Sequence, residues 1–285
     1  GADPGASARS AVERFDRWGG EGTARALLLS LEAPEAAHAE ETARSLAGCS
    51  GFFFTGGVQS RILEFFRPEG QETEAYRALM ARWREGAVVS GSSAGAAMIS
   101  EPMISGGPPA GRFAAEGAEG GGVQLAPGMA FLPELLVDQH FLARGRIGRL
   151  VEALGRPETP PLAAGVDEDT ALLVRNGAME VVGSSGVIVL DARPGAMGGG
   201  SEGGVRVELL GPGDRMALEA GSPVEPGAGK VALGGGDGDP AGSAISSGPE
   251  LFERWVFLHR IEAVAAGLTG TAAEGERPGF RLEPG

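Results

Sequence analysis

The chain is poor in residues that build covalent or metal-bound frameworks: its 285 residues include one cysteine, Cys49, and three histidines, His38, His140 and His259. A lone cysteine excludes an intramolecular disulfide and a multi-cysteine zinc site, and its expected place is that of a small buried apolar residue. The histidines show no ligand spacing and no phosphate-binding loop is visible, so neither a metal nor an organic cofactor is expected. Positive charge is scarce as well. Lys and Arg number 24 against 38 Asp and Glu, a formal charge of -14, whose field repels polyanions and argues against nucleic acid as a partner. No apolar run approaches the roughly 18 residues needed to span a bilayer, so no membrane association is expected. The first residues lack the basic and apolar regions of a secretion signal, and the cytoplasm is the expected location. Residue 1 is glycine rather than methionine, which leaves open an upstream piece carrying a signal.

Glycine and proline, by contrast, are abundant at 50 and 19 residues, which suggests long ordered loops of the kind on which sites are built. The length is ample for a buried core, and there is no internal repeat. One domain spanning 1–285 is the economical reading.

Along the chain, residues 7–18 have helical spacing and Arg25–Leu31 form an apolar run of strand length. A helical stretch from Pro34 through Leu46 precedes Gly51-Phe52-Phe53-Phe54-Thr55, read as a buried strand ending at Gly56-Gly57. Residues 62–85 are again helical by pattern, and Ala87-Val88-Val89-Ser90 is a compact strand. Gly106–Gly122 reads as a loop and 142–154 as helix; further strands are expected at Ala171–Val174, Val187–Leu190 and Val205–Leu210. Loops at 193–204 and 233–248 and an amphipathic helix at Glu250–Leu268 complete the chain. This alternation predicts an α/β fold with a mostly parallel sheet flanked by helices, whose sites gather at strand carboxyl ends.

The second strand runs straight into Gly91-Ser92-Ser93-Ala94-Gly95, a G-x-S-x-G pattern, followed by the helical Ala96-Ala97-Met98-Ile99. A sharp strand-to-helix turn projects the serine, small neighbours avoid clashes, and the amide of the following residue, Ala94, is aimed at an oxyanion. Ser93 is the candidate nucleophile; the competing reading is a tight turn with an incidental serine. A serine hydroxyl needs a base within hydrogen-bond reach, usually a histidine held by a carboxylate. His38 lies among Glu35, Glu40 and Glu41 and reads as a solvated residue, and His259 lies in a helical pattern. His140 follows Asp138-Gln139 at the end of an apolar stretch, where a functional residue would be presented, although position alone suits a structural histidine equally well.

Four ordered motifs resemble the cyanophycinases, serine peptidases of the S51 type related to peptidase E. They are Phe53-Phe54-Thr55-Gly56-Gly57-Val58-Gln59, Gly91-Ser92-Ser93-Ala94-Gly95-Ala96-Ala97, Asp138-Gln139-His140-Phe141 with Arg144, Arg146 and Arg149, and Gly165-Val166-Asp167-Glu168-Asp169-Thr170-Ala171. The resemblance covers roughly residues 50–216, with Pro212-Gly213-Asp214-Arg215 similar to a late strand-turn segment of the family. It implies a flavodoxin-like or class I glutaminase-like core and a triad of Ser93, His140 and Glu168, with Asp167 and Asp169 as competing acids. It places Gly57 as a second oxyanion donor and Gln59, Asp138, Gln139, Arg144, Arg146 and Arg149 around the substrate. The implied substrate is cyanophycin, a polyaspartate carrying arginine on its side-chain carboxyls. Guanidinium forks suit such a substrate, which presents a carboxylate beside the scissile bond. A homodimer is expected from the resemblance alone.

Against the family pattern the N-terminal part is shortened: Gly1-Ala2-Asp3-Pro4 stands about where a first glycine-rich turn would fall, and a strand and helix are missing between Leu29 and Glu35. Val58 replaces a residue that is commonly polar. Three other readings stay open: an aspartyl dipeptidase of peptidase E type, a hydrolase ordered Ser93, Asp167 or Asp169, then His259, and an inactive peptide-binding homologue.

Overall fold

The computed structural model describes residues 4–111, 122–194 and 205–230, and the chain divides into two compact units. One comprises Gly1–Ser105 with Ala126–Pro133, the other Gly106–Leu125 with Glu134–Gly285. The sequence-predicted helix at Glu250–Leu268, His259 and the 233–248 loop lie outside the described residues.

In the first unit, α1 (Pro4–Gly19) and a 3-10 stretch at Pro34–His38 precede α2 (Glu40–Ala47), β1 (Gly51–Phe54), α3 (Gln59–Phe66) and, after a second 3-10 turn at Pro68–Gly70, α4 (Glu74–Arg84). Then follow β2 (Val88–Gly91), the one-turn α5 (Ala94–Ala97) and β3 (Met103–Gly106). The helix start of α4 is set by Thr73, whose Oγ1 accepts the Tyr76 N–H at 3.2 Å and donates to the Phe66 carbonyl at 2.9 Å. That helix buries Ala75, Tyr76, Leu79 and Met80 along one face, against a core that includes Phe65, Phe66, Met98 and Phe131. Burying each large apolar side chain contributes about 1.5–3 kcal/mol, so this cluster anchors the layer beneath β1 and β2. Those two strands run parallel, with Gly51 opposite Val88 and Phe54 opposite Gly91.

Several sequence expectations are refined here. The stretch read as helix over 62–85 is two helices, because Pro68 has no N–H to donate and Glu69 and Gly70 turn the chain with φ of 51° and 80°. The stretch from Pro34 through Leu46 is likewise divided by extended backbone at Ala39 (φ -73°, ψ 133°). Arg25–Leu31 form no strand; Leu27 and Leu28 are exposed, and among the described residues β1 is paired only with β2. For the same reason β1 is half-exposed rather than buried, with Phe53 outward against Phe15 at 5.4 Å between ring centroids. Cys49 is half-buried, its thiol 3.3 Å from the Ser45 carbonyl.

After β4 (Gln124–Ala126), whose last residue belongs to the first unit, the second unit continues through β5 (Leu136–Gln139), α6 (Ile147–Leu154), β6 (Leu162–Val166), β7 (Thr170–Arg175) and β8 (Ala178–Gly183). Its last described strands are β9 (Val187–Asp191), β10 (Arg206–Leu210), β11 (Arg215–Ala217) and β12 (Val224–Glu225). One sheet is ordered β10-β9-β6-β5, the other β12-β11-β8-β7. The α/β expectation holds, with β5, α6 and β6 forming a parallel crossover unit and α6 packed on β6. Rather than mostly parallel, the first sheet is mixed, with β6 to β9 and β9 to β10 antiparallel, and the second is antiparallel throughout, at β7 to β8, β8 to β11 and β11 to β12. The difference arises where the chain returns by tight turns instead of crossover helices: β7 and β8 are joined only by Asn176-Gly177, whose φ of 51° and 72° match the hairpin twist. The edge strand β5 and the central strands β6 and β9 are buried almost throughout, which fixes their register and the position of whatever follows them.

Candidate active site

In the first unit the chain leaves β2 and reverses at Ser93, which has φ 55° and ψ -114° and directly precedes α5. A non-glycine residue held in that region costs of order 1–3 kcal/mol and persists only where its surroundings dictate it. Here the surroundings are glycines that admit no side chain. A Cβ on Gly91 would lie 2.1 Å from the Gly95 carbonyl oxygen, and one on Gly95 would lie 2.3 Å from that of Phe54. The Ser92 amide adds a 2.9 Å hydrogen bond to the Phe54 carbonyl. Both glycines of the G-x-S-x-G pattern are therefore required to pack the turn on the end of β1.

The loop after β1 passes beside this turn: a Cβ on Gly56 would meet the Cβ of Ser93 at 3.1 Å, and Gly57 has a φ of 152° open to glycine. Ala94 is the first residue of α5, so its N–H has no intrahelical acceptor. With four residues α5 is too short for an appreciable macrodipole, and any contribution to an oxyanion comes from the amide itself. Gln59 at the start of α3 donates its Nε2 to the Ile104 and Ser105 carbonyls at 2.9 and 3.3 Å, which fixes its side-chain amide.

In the second unit β5 and β6 are parallel with Gln139 opposite Val166, so their carboxyl ends lie side by side. One residue beyond β5 stands His140; two beyond β6 stands Glu168. The His140 Nδ1 lies 3.0 Å from Glu168 Oε1. A carboxylate only accepts, so Nδ1 carries the proton of this hydrogen bond and the neutral ring is the Nδ1–H tautomer. The side chains are 25% and 50% exposed. A pair so open to water is worth about 0–1 kcal/mol, less than the roughly 1.5–2 kcal/mol of rotamer freedom that holding a glutamate costs. The backbone must therefore set this geometry.

It does so at several points. His140 has a φ of 51°, its carbonyl accepts the Arg144 N–H at 3.1 Å, and the Phe141 N–H reaches the Val166 carbonyl at 3.2 Å. The ring of fully buried Phe141 rests on Gly165, where a Cβ would intrude to 2.3 Å. Of the three neighbouring carboxylates it is Glu168 that meets His140. Asp167 is buried and turned to the Ala143 N–H at 2.9 Å and the Ser185 hydroxyl at 2.7 Å. Sequence reasoning saw Asp167 only as a competing acid and gave no signal for Ser185, whose contact depends on the β6 to β9 pairing.

The three arginines occupy different settings. Arg144 is exposed on the turn after His140. Arg146 caps α6 and donates to the carbonyl and Oε1 of Gln139, the latter at 3.0 Å, while its buried Nε has no hydrogen-bond partner. Burial, aided by Arg149 and Arg144 and opposed by Asp138, lowers its pKa to about 10, which leaves it charged at neutral pH. Arg149 is buried with Nε 2.6 Å from Asp138 Oδ2 and Nη2 on Oδ1, a bidentate pair. Asp138 Oδ1 also accepts the Gln139 N–H at 2.8 Å. Among the described residues no cluster of His, Cys, Asp and Glu could hold a metal ion, and no helix is long and apolar enough to cross a membrane.

No protein-family model matches the chain. It is similar to a cyanophycinase from Trichormus variabilis, 33% identical over 183 residues, which are 63% of this chain and 57% of that one. It is also similar to a cyanophycinase from Synechococcus elongatus, 35% identical over 159 residues, 55% of this chain and 46% of that one. The chain thus matches only about half the length of these relatives. Among solved structures, a peptidase from an acI-B1 Actinobacterium has a TM-score of 0.48 and 20% identity, covering 65% of this chain and 66% of its own. The resemblance read from the four motifs agrees with the sequence comparison: over the part that aligns, the chain is similar to the cyanophycinases.

Proposed function

We propose that the chain is a serine-type peptidase that hydrolyses cyanophycin, multi-L-arginyl-poly-L-aspartate, to aspartyl-arginine dipeptides. The observation that carries the reading is Ser93, a non-glycine residue held at φ 55° and ψ -114° at a strand-to-helix turn between two obligatory glycines. The His140–Glu168 hydrogen bond supports it by orienting the imidazole and fixing its Nδ1–H tautomer, the form a general base needs. In this mechanism Ser93 Oγ bonds to the scissile carbonyl carbon as its proton passes to His140 Nε2. The amides of Gly57 and Ala94 hold the oxyanion. The C–N bond then breaks, His140 returns the proton to the leaving amine, and water hydrolyses the Ser93 ester by the same steps.

Substrate recognition is assigned to Gln59, Asp138, Gln139, Arg144, Arg146 and Arg149. Arg144, exposed on the turn after His140, is suited to the aspartyl carboxylate, and Arg146 holds the Gln139 side chain. Arg149, committed to Asp138, acts by holding that aspartate in place. The test is hydrolysis of purified cyanophycin by the wild-type chain and by Ser93→Ala, with products identified by mass. Release of aspartyl-arginine by the wild type alone supports reaction and nucleophile together. Release by Ser93→Ala at the wild-type rate removes Ser93 from the mechanism, and cleavage of aspartyl dipeptides without cyanophycin moves the specificity to the peptidase E type.

A further inference from the structure

Glu168 and His140 sit on separate loops, and their own hydrogen bond is too open to water to fix the distance between those loops. Next to Glu168 in the chain, however, stands a carboxylate that is buried and fully occupied. Asp167 Oδ1 accepts the N–H of Ala143, three residues after His140 in the same turn, at 2.9 Å. Its Oδ2 accepts the Ser185 hydroxyl at 2.7 Å, and its own N–H reaches the Gly186 carbonyl at 3.2 Å. The stitching continues beyond it: Thr170 Oγ1 donates to the Glu168 carbonyl at 3.0 Å and accepts the Ser185 N–H at 3.0 Å. The Ser184 N–H reaches the Asp169 carbonyl at 3.0 Å. The loop bearing Glu168 is thus tied to the turn before β9 on one side and to the His140 turn on the other, and Asp167 is the residue common to both ties.

We propose that Asp167 is the positioning residue of the His140–Glu168 pair, its two carboxylate oxygens clamping the turn that presents His140 to the loop that presents Glu168. This rests on the peptidase reading above. A carboxylate suits the task because one buried group accepts two hydrogen bonds along different directions, and each is strengthened by its charge. Ser185 completes the clamp by orienting the second oxygen. Removing the clamp leaves both catalytic side chains chemically intact but frees the distance between them, and misplacement of about 1 Å is enough to cost on the order of 100-fold in rate.

The experiment measures cyanophycin hydrolysis by the full chain as wild type, Asp167→Ala, Ser185→Ala, Glu168→Gln and the double variant Asp167→Ala/Glu168→Gln. Thermal unfolding checks that each variant folds. Asp167→Ala is expected to lower kcat by roughly 10- to 100-fold with KM within about twofold. Ser185→Ala, which leaves no buried backbone donor stranded, should lower kcat by a smaller factor. On the Glu168→Gln background Asp167→Ala should add no further loss, because it acts through the bond already weakened. A kcat for Asp167→Ala near that of wild type, or a loss that multiplies with that of Glu168→Gln, overturns the proposal. If Asp167→Ala does not fold, an unchanged kcat in Ser185→Ala overturns it.

A second readout is independent of turnover. In ¹⁵N spectra of the imidazoles, with the His140 signals assigned by their loss in His140→Ala, the wild type should hold the Nδ1–H tautomer and Asp167→Ala a mixture of both. Wild type that releases no dipeptide defeats the peptidase reading, whereas an unchanged His140 tautomer in Asp167→Ala defeats the clamp.

Discussion

The ring of Phe141 occupies the space where Gly165 would carry a side chain, 2.3 Å from the position of a Cβ there. Two motifs separated in sequence are thereby one packing unit, with His140 directly before Phe141 in the chain and Glu168 three residues past the glycine. Gly165→Ala is expected to destabilise the protein by about 1–3 kcal/mol through overpacking in a core that cannot yield. Denaturant midpoints would measure this. Peptidase activity should fall further than stability explains, because Phe141 can move only by carrying His140 with it.

Ser93 pays for its position in backbone strain. Ser93→Gly and Ser93→Ala should both be inactive, yet the glycine variant should unfold about 1 kcal/mol later than the alanine variant, since only glycine occupies φ 55° without penalty. Equal stability of the two variants would show that the turn is relaxed.

Removing one partner of the buried Asp138–Arg149 pair should be severe. Arg149→Met leaves an aspartate that is 1% exposed with the Gln139 N–H at 2.8 Å and a single, weaker ionic contact to Arg146 at 3.6 Å, and a loss of about 3–5 kcal/mol in unfolding free energy is expected. Chemical denaturation decides it. A loss below 1 kcal/mol would mean that water or Arg146 replaces Arg149.

Asp214 should shape the acid limb of stability. Burial would raise its pKa, but hydrogen bonds from Lys230, Gly227 and Gly211 outweigh that and hold it below the ordinary 3.8. A folded-state pKa below the unfolded one means that the unfolded chain takes up its proton first as the pH drops. The contribution of Asp214 is therefore fully present above pH 3.8 and lost as the pH falls through the folded value. Denaturant midpoints between pH 6 and pH 2 should fall less steeply for Asp214→Asn than for wild type, from a lower starting point at pH 6.

The parts of the site that were legible in the sequence are those fixed by local chemistry. Gly91-Ser92-Ser93-Ala94-Gly95 forces a turn wherever it follows a strand, and the β2 to α5 crossing is where that reasoning put it. The strands at Ala171–Val174, Val187–Leu190 and Val205–Leu210 correspond to β7, β9 and β10 to within a residue or so at each end. What was not legible depends on partners distant in sequence. The apolar run Arg25–Leu31 has strand composition but pairs with no strand among the described residues, and β8 lies outside the strands expected from the sequence although Asn176-Gly177 is a strong two-residue hairpin signal. The role of Asp167 was hidden for the same reason: among three carboxylates in a row, chain spacing does not say which one turns inward.

That Asn176-Gly177 hairpin also bears on the order in which the protein assembles. β7 and β8 meet across two residues, so their pairing needs almost no loop closure and can form in microseconds, whereas β5 must wait for α6 to bring β6 alongside it. The loop bearing Asp167 and Glu168 enters this early hairpin directly and is tied to its far end through Thr170 and Ser185. The acid half of the site would then be shaped while the histidine half is still unstructured, and the docking of β5 onto β6 becomes the step at which a chain first acquires a complete His140–Glu168 pair.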